Sequence, residues 1–218
     1  MAVRAPAARV EAQGLSLRGP RGWVFHDVGL TVPAGALAAV SGIAGSGRTA
    51  LLLALGGRMK PTDGTGTVGG RSLGRDVQRV AALGVMAGVT ELDPSLTVRE
   101  HVSEALSLHE GIPGRWRGRN ARVRKALDRV GLDADPGMLA QELAPDEAQL
   151  LGAALALIGE PELLLLDDVD EGLPMERQRA LWRRLRAIAD SGVTVVATCH
   201  DPAPAQDVAQ IIELEPSR

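Results

Sequence analysis

The fold is decided by the stretch Gly42-Ile43-Ala44-Gly45-Ser46-Gly47-Arg48-Thr49. An apolar run at residues 37–40 precedes it and a leucine-rich run at residues 51–55 follows it, which indicates a strand, a loop and a helix. Glycines let such a loop fold around phosphate groups with its N–H groups turned inward, and the start of the helix adds positive potential. The spacing fits the pattern G-x-x-x-x-G-K-[ST], except that Arg48 stands where the pattern has lysine.

We expect this loop to bind the phosphates of a nucleotide, and the Thr49 hydroxyl to contribute a ligand to Mg²⁺. The alternative is a glycine-rich turn that only joins a strand to a helix. The flanking strand and helix favour phosphate binding, because they are the structural context that the pattern requires. The residues predicted to bind the phosphates are Gly42, Gly45, Ser46, Gly47, Arg48 and Thr49.

The composition is that of an ordinary globular protein. The 218 residues are 45% hydrophobic and 23% charged, with a net charge of −3, so we expect one soluble domain over residues 1–218. Residues 1–10 do not resemble a secretory signal, and the longest helix-like apolar run, residues 150–158, is too short to span a bilayer. The single cysteine, Cys199, is expected to be a small buried side chain, and its lack of a disulfide partner fits a reducing cytoplasm.

The periodicity along the chain predicts an α/β protein. Short alternating patterns before the loop indicate an antiparallel pair, and from Ser95 the pattern becomes helical, with a capping box at Thr97 and Glu100. The predicted strands are residues 10–18, 23–32, 71–73, 83–87, 163–166, 193–197 and 211–214, and the later helices are 120–130, 145–159, 175–189 and 204–209. We therefore expect a mainly parallel core sheet, an N-terminal antiparallel β part and a helical insert over roughly residues 95–158.

A second motif follows the four leucines at 163–166, where Asp167 and Asp168 come directly after a predicted buried strand. Ligands of parallel sheets lie at the carboxyl ends of the strands, and Thr49, Asp167 and His200 all follow such ends. Asp167 is therefore expected to hold Mg²⁺ directly or through water, and Asp168 to face an attacking water. The alternative is a pair of surface aspartates that cap the next helix.

The order of these motifs resembles the ATP-binding cassette family, specifically the ATP-binding subunit of ABC transporters, over nearly the whole chain. The residues that carry the resemblance, besides the phosphate loop, are Asp27-Val28, Pro33-Ala34-Gly35, Leu96-Thr97-Val98-Arg99-Glu100, Pro161 to Asp167, and His200-Asp201. The resemblance implies a phosphate-loop NTPase fold, ATP and Mg²⁺ as cofactors, and catalytic roles for Asp168 and His200. It also implies a membrane permease and a second ATP-binding subunit, identical or different, as partners. The protein would then lie in the cytoplasm, against the inner face of the cell membrane.

The chain departs from the family pattern at several working positions. Arg48 replaces lysine, and Gly88 stands where the family has a glutamine that senses Mg²⁺ and links to the transporter. Pro174 replaces an aspartate of the loop between subunits, and Asp168 replaces the catalytic glutamate. Aspartate is one methylene shorter, whereas general-base contact has to be about 2.6–3.2 Å. These departures predict weak or lost hydrolysis.

Two further departures concern the base and the second subunit. The aromatic residue that stacks on adenine in the family should fall near Gly19, and the nearest one is Trp23, which either binds the base or packs in the core. The family signature corresponds to Leu143-Ala144-Pro145-Asp146-Glu147, where proline removes an N–H and two carboxylates occupy the first turn of a helix. The signature of one subunit meets the γ-phosphate held by the other, so like charge is expected to weaken pairing.

We therefore expect an ATP-binding subunit of an ABC-type transporter that binds Mg-ATP with weak or lost hydrolysis. The alternative is a non-catalytic regulatory or assembly partner that uses the cassette as a nucleotide-dependent binding module. A soluble ATPase acting on nucleic acid is least favoured, because family members of that kind usually carry two cassettes and this chain has room for one. A basic stretch around Trp116 either contacts anionic lipid or is a solvated helix face, and the acidic net charge argues against a nucleic-acid partner. Its basic residues are Arg115, Arg117, Arg119, Arg122, Arg124 and Lys125.

Overall fold

The computed structural model describes residues 7–110 and 118–216, and these residues form two sheets with helices around them. The strands are β1 Val10–Gly19, β2 Gly22–Val32, β3 Leu37–Ser41, β4 Asp63–Val68, β5 Arg71–Ser72, β6 Ala81–Leu83, β7 Leu163–Leu166, β8 Thr194–Cys199 and β9 Gln210–Glu213. The α-helices are α1 Arg48–Leu55, α2 Val98–Glu110, α3 Arg119–Val130, α4 Pro145–Leu157 and α5 Met175–Asp190. Single turns of 3-10 helix lie at Val77–Arg79, Ala140–Glu142 and Ala203–Ala205.

The strand order confirms the predicted fold class. The first sheet is antiparallel with the order β2-β1-β4-β5, and the second is parallel with the order β6-β7-β8-β3-β9. β3, β7 and β8 lie side by side in the second sheet, so the segments that follow them emerge at the same edge. This arrangement brings the phosphate loop, Asp167 and His200 together, as expected for a parallel sheet.

Side chains that alternate along the parallel strands enter two separate cores. Leu163 and Leu165 face the antiparallel sheet and α1, whereas Leu164 and Leu166 face α2 to α5. Because helices or a sheet cover both faces, β3, β7 and β8 are buried along their whole length. Cys199 is buried as predicted, and this burial raises the pKa of its thiol to about 12.

Local signals place the helix ends. At the start of α2, the Glu100 carboxylate accepts from the Thr97 N–H at 2.8 Å and the Thr97 hydroxyl accepts from the Glu100 N–H at 3.2 Å, which confirms the capping box. α3 ends at Gly131, whose φ of +67° is the left-handed conformation that glycine adopts freely. Within the described residues, no helix is both long enough and apolar enough to cross a membrane.

Two predictions of local structure are wrong, and β4 lies in the glycine-rich stretch 56–70, for which no strand was predicted. A close approach explains one of these glycines: a Cβ on Gly64 would lie 2.3 Å from the Gly14 carbonyl oxygen of β1. The strand expected at residues 83–87 ends at Leu83, and the chain then turns through a Met86 to Thr90 bridge. The helix expected at residues 204–209 is a single turn at Ala203–Ala205.

Candidate functional site

The phosphate loop, defined as residues 42–49, lies between the end of β3 and the first residues of α1. Its glycines are required by close contacts and by backbone conformation. A Cβ on Gly47, whose φ is +90°, would lie 2.3 Å from the Val24 carbonyl oxygen, and one on Gly42 would lie 2.6 Å from the Ser46 Oγ. Gly45 has a φ of +81° with open space around it. The loop is therefore held against the antiparallel sheet with its backbone free on the other side.

Two buried polar atoms of the phosphate loop find no hydrogen-bond partner among the described residues. They are the Oγ of Ser46, a residue that is 1% exposed, and the Nε of Arg48, a residue that is 7% exposed. Buried polar groups are rarely left unpaired in folded proteins. α1 also begins without a side-chain cap, so its first N–H groups keep their capacity to bind an anion. These unpaired donors fit the oxygen atoms of a phosphate group.

Thr49, the last residue of the phosphate loop, and Asp167, which follows β7, bring two oxygen-bearing side chains together. The Thr49 hydroxyl donates to Asp167 Oδ2 at 2.7 Å, and the Thr198 hydroxyl donates to Asp167 Oδ1 at 2.6 Å. Hydroxyl and carboxylate oxygens suit Mg²⁺, which usually keeps one or two such protein ligands and completes its shell with phosphate and water. No cluster of three or more His, Cys, Asp or Glu side chains that could hold a metal occurs in the described part of the chain. Thr49 and Asp167 thus fit a Mg²⁺ ion that arrives with phosphate.

The Arg48 guanidinium connects the phosphate loop to the ends of β7 and β8. Its Nη1 donates to the Gly42 carbonyl, and its Nη2 lies 2.7 Å from Asp168 Oδ1 and 2.9 Å from His200 Nε2. Arginine can only donate, so His200 Nε2 is the acceptor of the last contact. The structure therefore brings the predicted residues Asp168 and His200 together at the Arg48 cation of the phosphate loop.

Asp170 positions His200, and it was not among the site residues predicted from the sequence. This residue is 7% exposed, and its Oδ2 accepts the N–H of His200 at 2.8 Å and the N–H of Asp201 at 3.1 Å. Its Oδ1 lies 3.4 Å from His200 Nδ1, on the side of the ring opposite Arg48. The only sequence signal is a third acidic residue soon after β7, which by itself is typical of a surface loop.

Trp23 is half-buried and lies outside both cores, so the alternative that it packs in the core is wrong. Its ring lies 4.6 Å from the His26 ring, and the Arg18 guanidinium lies 5.4 Å from its centroid. Trp23 lines an open cavity of about 760 Å³ between β2 and the segment 212–216. Since Val24 is in contact with Gly47, this cavity begins close to the phosphate loop. Base binding by Trp23 stays a prediction.

The two carboxylates in the first turn of α4 both have partners within this chain. Glu147 accepts the N–H of Ala144 at 2.9 Å, and Asp146 forms an ion pair with Arg177 through two contacts of 3.1 and 2.5 Å. Asp146 and Glu147 therefore lie in the first turn of the helix, as predicted, but each is already paired with another group of the chain. Pro145 occupies the first helical position and contributes no N–H.

Gly88 and the basic stretch around Trp116 form no hydrogen bond or ion pair with the phosphate loop, Asp167 or His200 among the described residues. Gly88 has a φ of +71°, its N–H donates to Glu91 at 2.7 Å, and the space beside it is open.

Of the basic stretch, Arg115, Trp116 and Arg117 lie outside the described residues. Arg119 donates to the Ser103 carbonyl of α2, whereas Arg124 and Lys125 are exposed on α3.

Comparison with known proteins agrees with this geometry. A family model described as ABC transporter matches residues 25–170. The chain is 32% identical over 213 residues to the methionine import ATP-binding protein MetN 1 of Burkholderia pseudomallei, covering 91% of this chain and 60% of that protein. It is 33% identical over 221 residues to a probable anion import ATP-binding protein of Haloferax volcanii, covering 94% of this chain and 76% of that protein.

Solved structures show the same fold. The ATP-binding cassette MJ0796, in a dimeric post-hydrolysis state bound to ADP and Pi, has a TM-score of 0.75 at 22% identity over 96% of this chain and 97% of that chain. The chain spans about 60% of the length of the methionine import proteins that it matches. The match over residues 25–170, together with the sequence identity to import ATP-binding proteins, shows that this chain belongs to the ABC transporter family, in its ATP-binding part.

Proposed function

We propose that this chain is the ATP-binding subunit of an ABC-type transporter, that it binds Mg-ATP, and that it hydrolyses ATP weakly or not at all. The observation that carries the proposal is the phosphate loop with its unpaired buried donors, Ser46 Oγ and Arg48 Nε, beside the oxygen pair Thr49 and Asp167. The names of the related import proteins supply the transport role. The transported substrate is left open, because a fold does not identify one.

In this proposal each residue of the site has one task. The backbone of the phosphate loop and the start of α1 bind phosphate oxygens, and Arg48 contributes positive charge. Thr49 and Asp167 hold Mg²⁺, which when bound neutralises phosphate charge and polarises the terminal phosphoryl group. Thr198 fixes the Asp167 carboxylate by a hydrogen bond of 2.6 Å, so the ligand is oriented before the metal arrives.

The surroundings of Asp168 support the proposal of weak hydrolysis. Its Oδ1 already accepts from Arg48 at 2.7 Å, so the carboxylate that would orient an attacking water is committed to a cation. The Asp168 backbone has a φ of +43° and its N–H donates to Thr198 at 2.7 Å, so the main chain is also fixed. A shorter side chain on a fixed backbone has little freedom to reach a water at about 2.6–3.2 Å.

The expected partners are a membrane permease and a second ATP-binding subunit, which would hold the chain at the inner face of the membrane. A second function, that of a regulatory or assembly partner, is favoured by one observation. Glu147 caps α4 and Arg177 holds Asp146, so the helix start that should contact a nucleotide across the dimer is satisfied within its own chain. Such a subunit would bind weakly to the nucleotide held by the partner subunit, but its own phosphate loop could still bind a nucleotide.

Nucleotide binding is tested by titrating the protein with a fluorescent ATP analogue and Mg²⁺. Thr49→Ala should weaken binding about tenfold, the effect of losing one charge-assisted contact. Gly47→Asp should abolish it, because its Cβ would lie 2.3 Å from the Val24 carbonyl. Thr65→Ala, an exposed threonine on β4, is the matched control and should bind like the parent. The proposal fails if the parent shows no saturable binding, or if both site variants bind like the control.

A further inference from the structure

Arg48 joins three parts of the site that are far apart in the sequence. Its guanidinium contacts the Gly42 carbonyl, Asp168 Oδ1 at 2.7 Å and His200 Nε2 at 2.9 Å, and we define these three contacts as the Arg48 latch. We propose that the Arg48 latch makes the site select nucleoside diphosphates over nucleoside triphosphates. The inference rests on the proposed function, since it concerns which nucleotide the phosphate loop retains.

A diphosphate can bind while the latch is closed. In a phosphate loop, backbone N–H groups hold the first two phosphates, and none of these groups takes part in the latch. Among the described residues, the Ser46 hydroxyl is buried without a partner and the Thr49 hydroxyl bonds to Asp167, so neither takes part in the latch. A nucleoside diphosphate therefore breaks no contact of Arg48 when it enters.

A third phosphate needs the cation that the latch already uses. In a phosphate loop the basic residue reaches the second and third phosphates, and the backbone N–H groups hold only the first two, so the third phosphate depends on the basic residue. The Arg48 Nη2, however, is already bonded to Asp168 and His200. A planar guanidinium cannot turn towards a new ligand without also moving the nitrogen that donates to Gly42. The triphosphate must displace a carboxylate from arginine and then remain beside that carboxylate.

The size of the preference follows from the contact that is lost. A hydrogen bond between charged groups stabilises by an amount that corresponds to roughly 10- to 100-fold in affinity. Arg48 is 7% exposed but the Asp168 side chain is 31% exposed, so water screens part of the ion pair. We expect the lower value, about tenfold in favour of the diphosphate.

Calorimetry on the whole chain measures this preference directly. The dissociation constants of Mg-ADP and of a non-hydrolysable Mg-ATP analogue are compared for the parent, Asp168→Asn, Arg48→Lys and Glu171→Gln. Asp168→Asn keeps the shape of the side chain and removes its charge, so the preference for ADP should fall by about tenfold. Arg48→Lys has one donor group in place of a fork and should also reduce the preference. Glu171→Gln is the matched control, because this exposed carboxylate lines the same cavity as Asp168 without contacting Arg48.

Histidine-selective NMR gives a second readout that does not depend on affinity. The protein has 4 histidines, and the His200 ring signal is identified by its loss in His200→Gln. Saturating Mg-ADP should leave the His200 signal unchanged, whereas the saturating ATP analogue should shift it, because the analogue takes Arg48 away from Nε2.

Three results would overturn the proposal. The first is an ATP analogue that the parent binds as tightly as ADP. The second is an equal change of preference in Glu171→Gln, which would assign the effect to overall charge. The third is a His200 signal that ADP shifts as much as the analogue does. If neither nucleotide binds to the parent or to any variant, the proposed function itself is refuted, and this inference with it.

Discussion

Replacing Arg71 with alanine should destabilise the protein by about 2 kcal/mol, because this arginine neutralises a buried carboxylate at the junction of the two sheets. Arg71 of β5 donates to both oxygens of Glu162, at 2.9 and 3.0 Å, and Glu162 directly precedes β7. Glu162 is 8% exposed, so its charge would be left buried and unpaired. Removing one partner of a fully buried pair costs about 3–5 kcal/mol. The Arg71 side chain is 39% exposed, so water can take its place in part and the expected loss is smaller.

Urea unfolding and thermal unfolding measure this loss. In a chain of this size, about 2 kcal/mol corresponds to a fall of roughly 4–8 °C in Tm. Arg75→Ala, at an exposed arginine shortly after β5, is the matched control and should change stability by less than about 0.5 kcal/mol. Glu162→Gln in the Arg71→Ala background should recover part of the loss, because it removes the unpaired charge. A loss in Arg71→Ala no larger than that of the control would refute the reasoning.

Four further predictions concern hydrolysis, pairing, thiol reactivity and pH. Arg48→Lys or Asp168→Glu alone should leave ATP turnover slow, since such residues act as a unit, and a fast rate in the unmodified protein would contradict the proposed weak hydrolysis. Light scattering with Mg-ATP should show a monomer for the parent and more dimer for the variant Ala144→Ser, Pro145→Gly, Asp146→Gly, Glu147→Gln. Tight pairing of the parent that does not increase in the variant would refute the argument that the start of α4 is satisfied within its own chain. The Cys199 thiol, whose pKa burial raises to about 12, should resist alkylation in the folded protein between about pH 7 and 9, and a rate equal to that of the unfolded chain would count against this. Hydrogen bonds from the backbone and side chain of Thr97 lower the pKa of Glu100, so the stabilisation they give is present above about pH 5 and is lost as the pH falls through the lowered pKa. Glu100→Gln should therefore lower Tm at about pH 7 but much less at about pH 3, and an equal effect at both would show that the charge is not involved.

The fold could be predicted from the sequence where its determinants are local. The phosphate loop, the capping box before α2 and the buried run before Asp167 are each contained within a few residues, so their spacing is sufficient. β4 could not be predicted in this way, because Gly64 is explained only by the β1 backbone that passes beside it. Glycine content alone is more typical of a turn.

The contacts of the site could not be predicted, because they join distant residues. Arg48 and Asp168 are separated by 120 positions, and Asp146 and Arg177 by 31. The sequence showed that Arg48, Asp168 and Asp146 were unusual for the family, and it did not show which charges pair with them. For Asp146 this changes the argument against pairing: the expected repulsion is replaced by a helix start that its own chain has already satisfied.

The contact between Gly47 and the Val24 carbonyl means that the phosphate loop cannot keep its shape outside this fold. Its outer wall is a peptide group of β2, which belongs to the other sheet, so the curvature of the loop depends on where the first hairpin sits. Transplanting residues 37–55 into another β-α protein would carry the glycine pattern without this wall, and the loop would lose its shape. Conversely, a substitution in the hairpin that displaces the backbone at Val24 would change nucleotide affinity from a position that touches no nucleotide. The shape of the phosphate loop therefore depends on the geometry of the hairpin as well as on the glycines themselves.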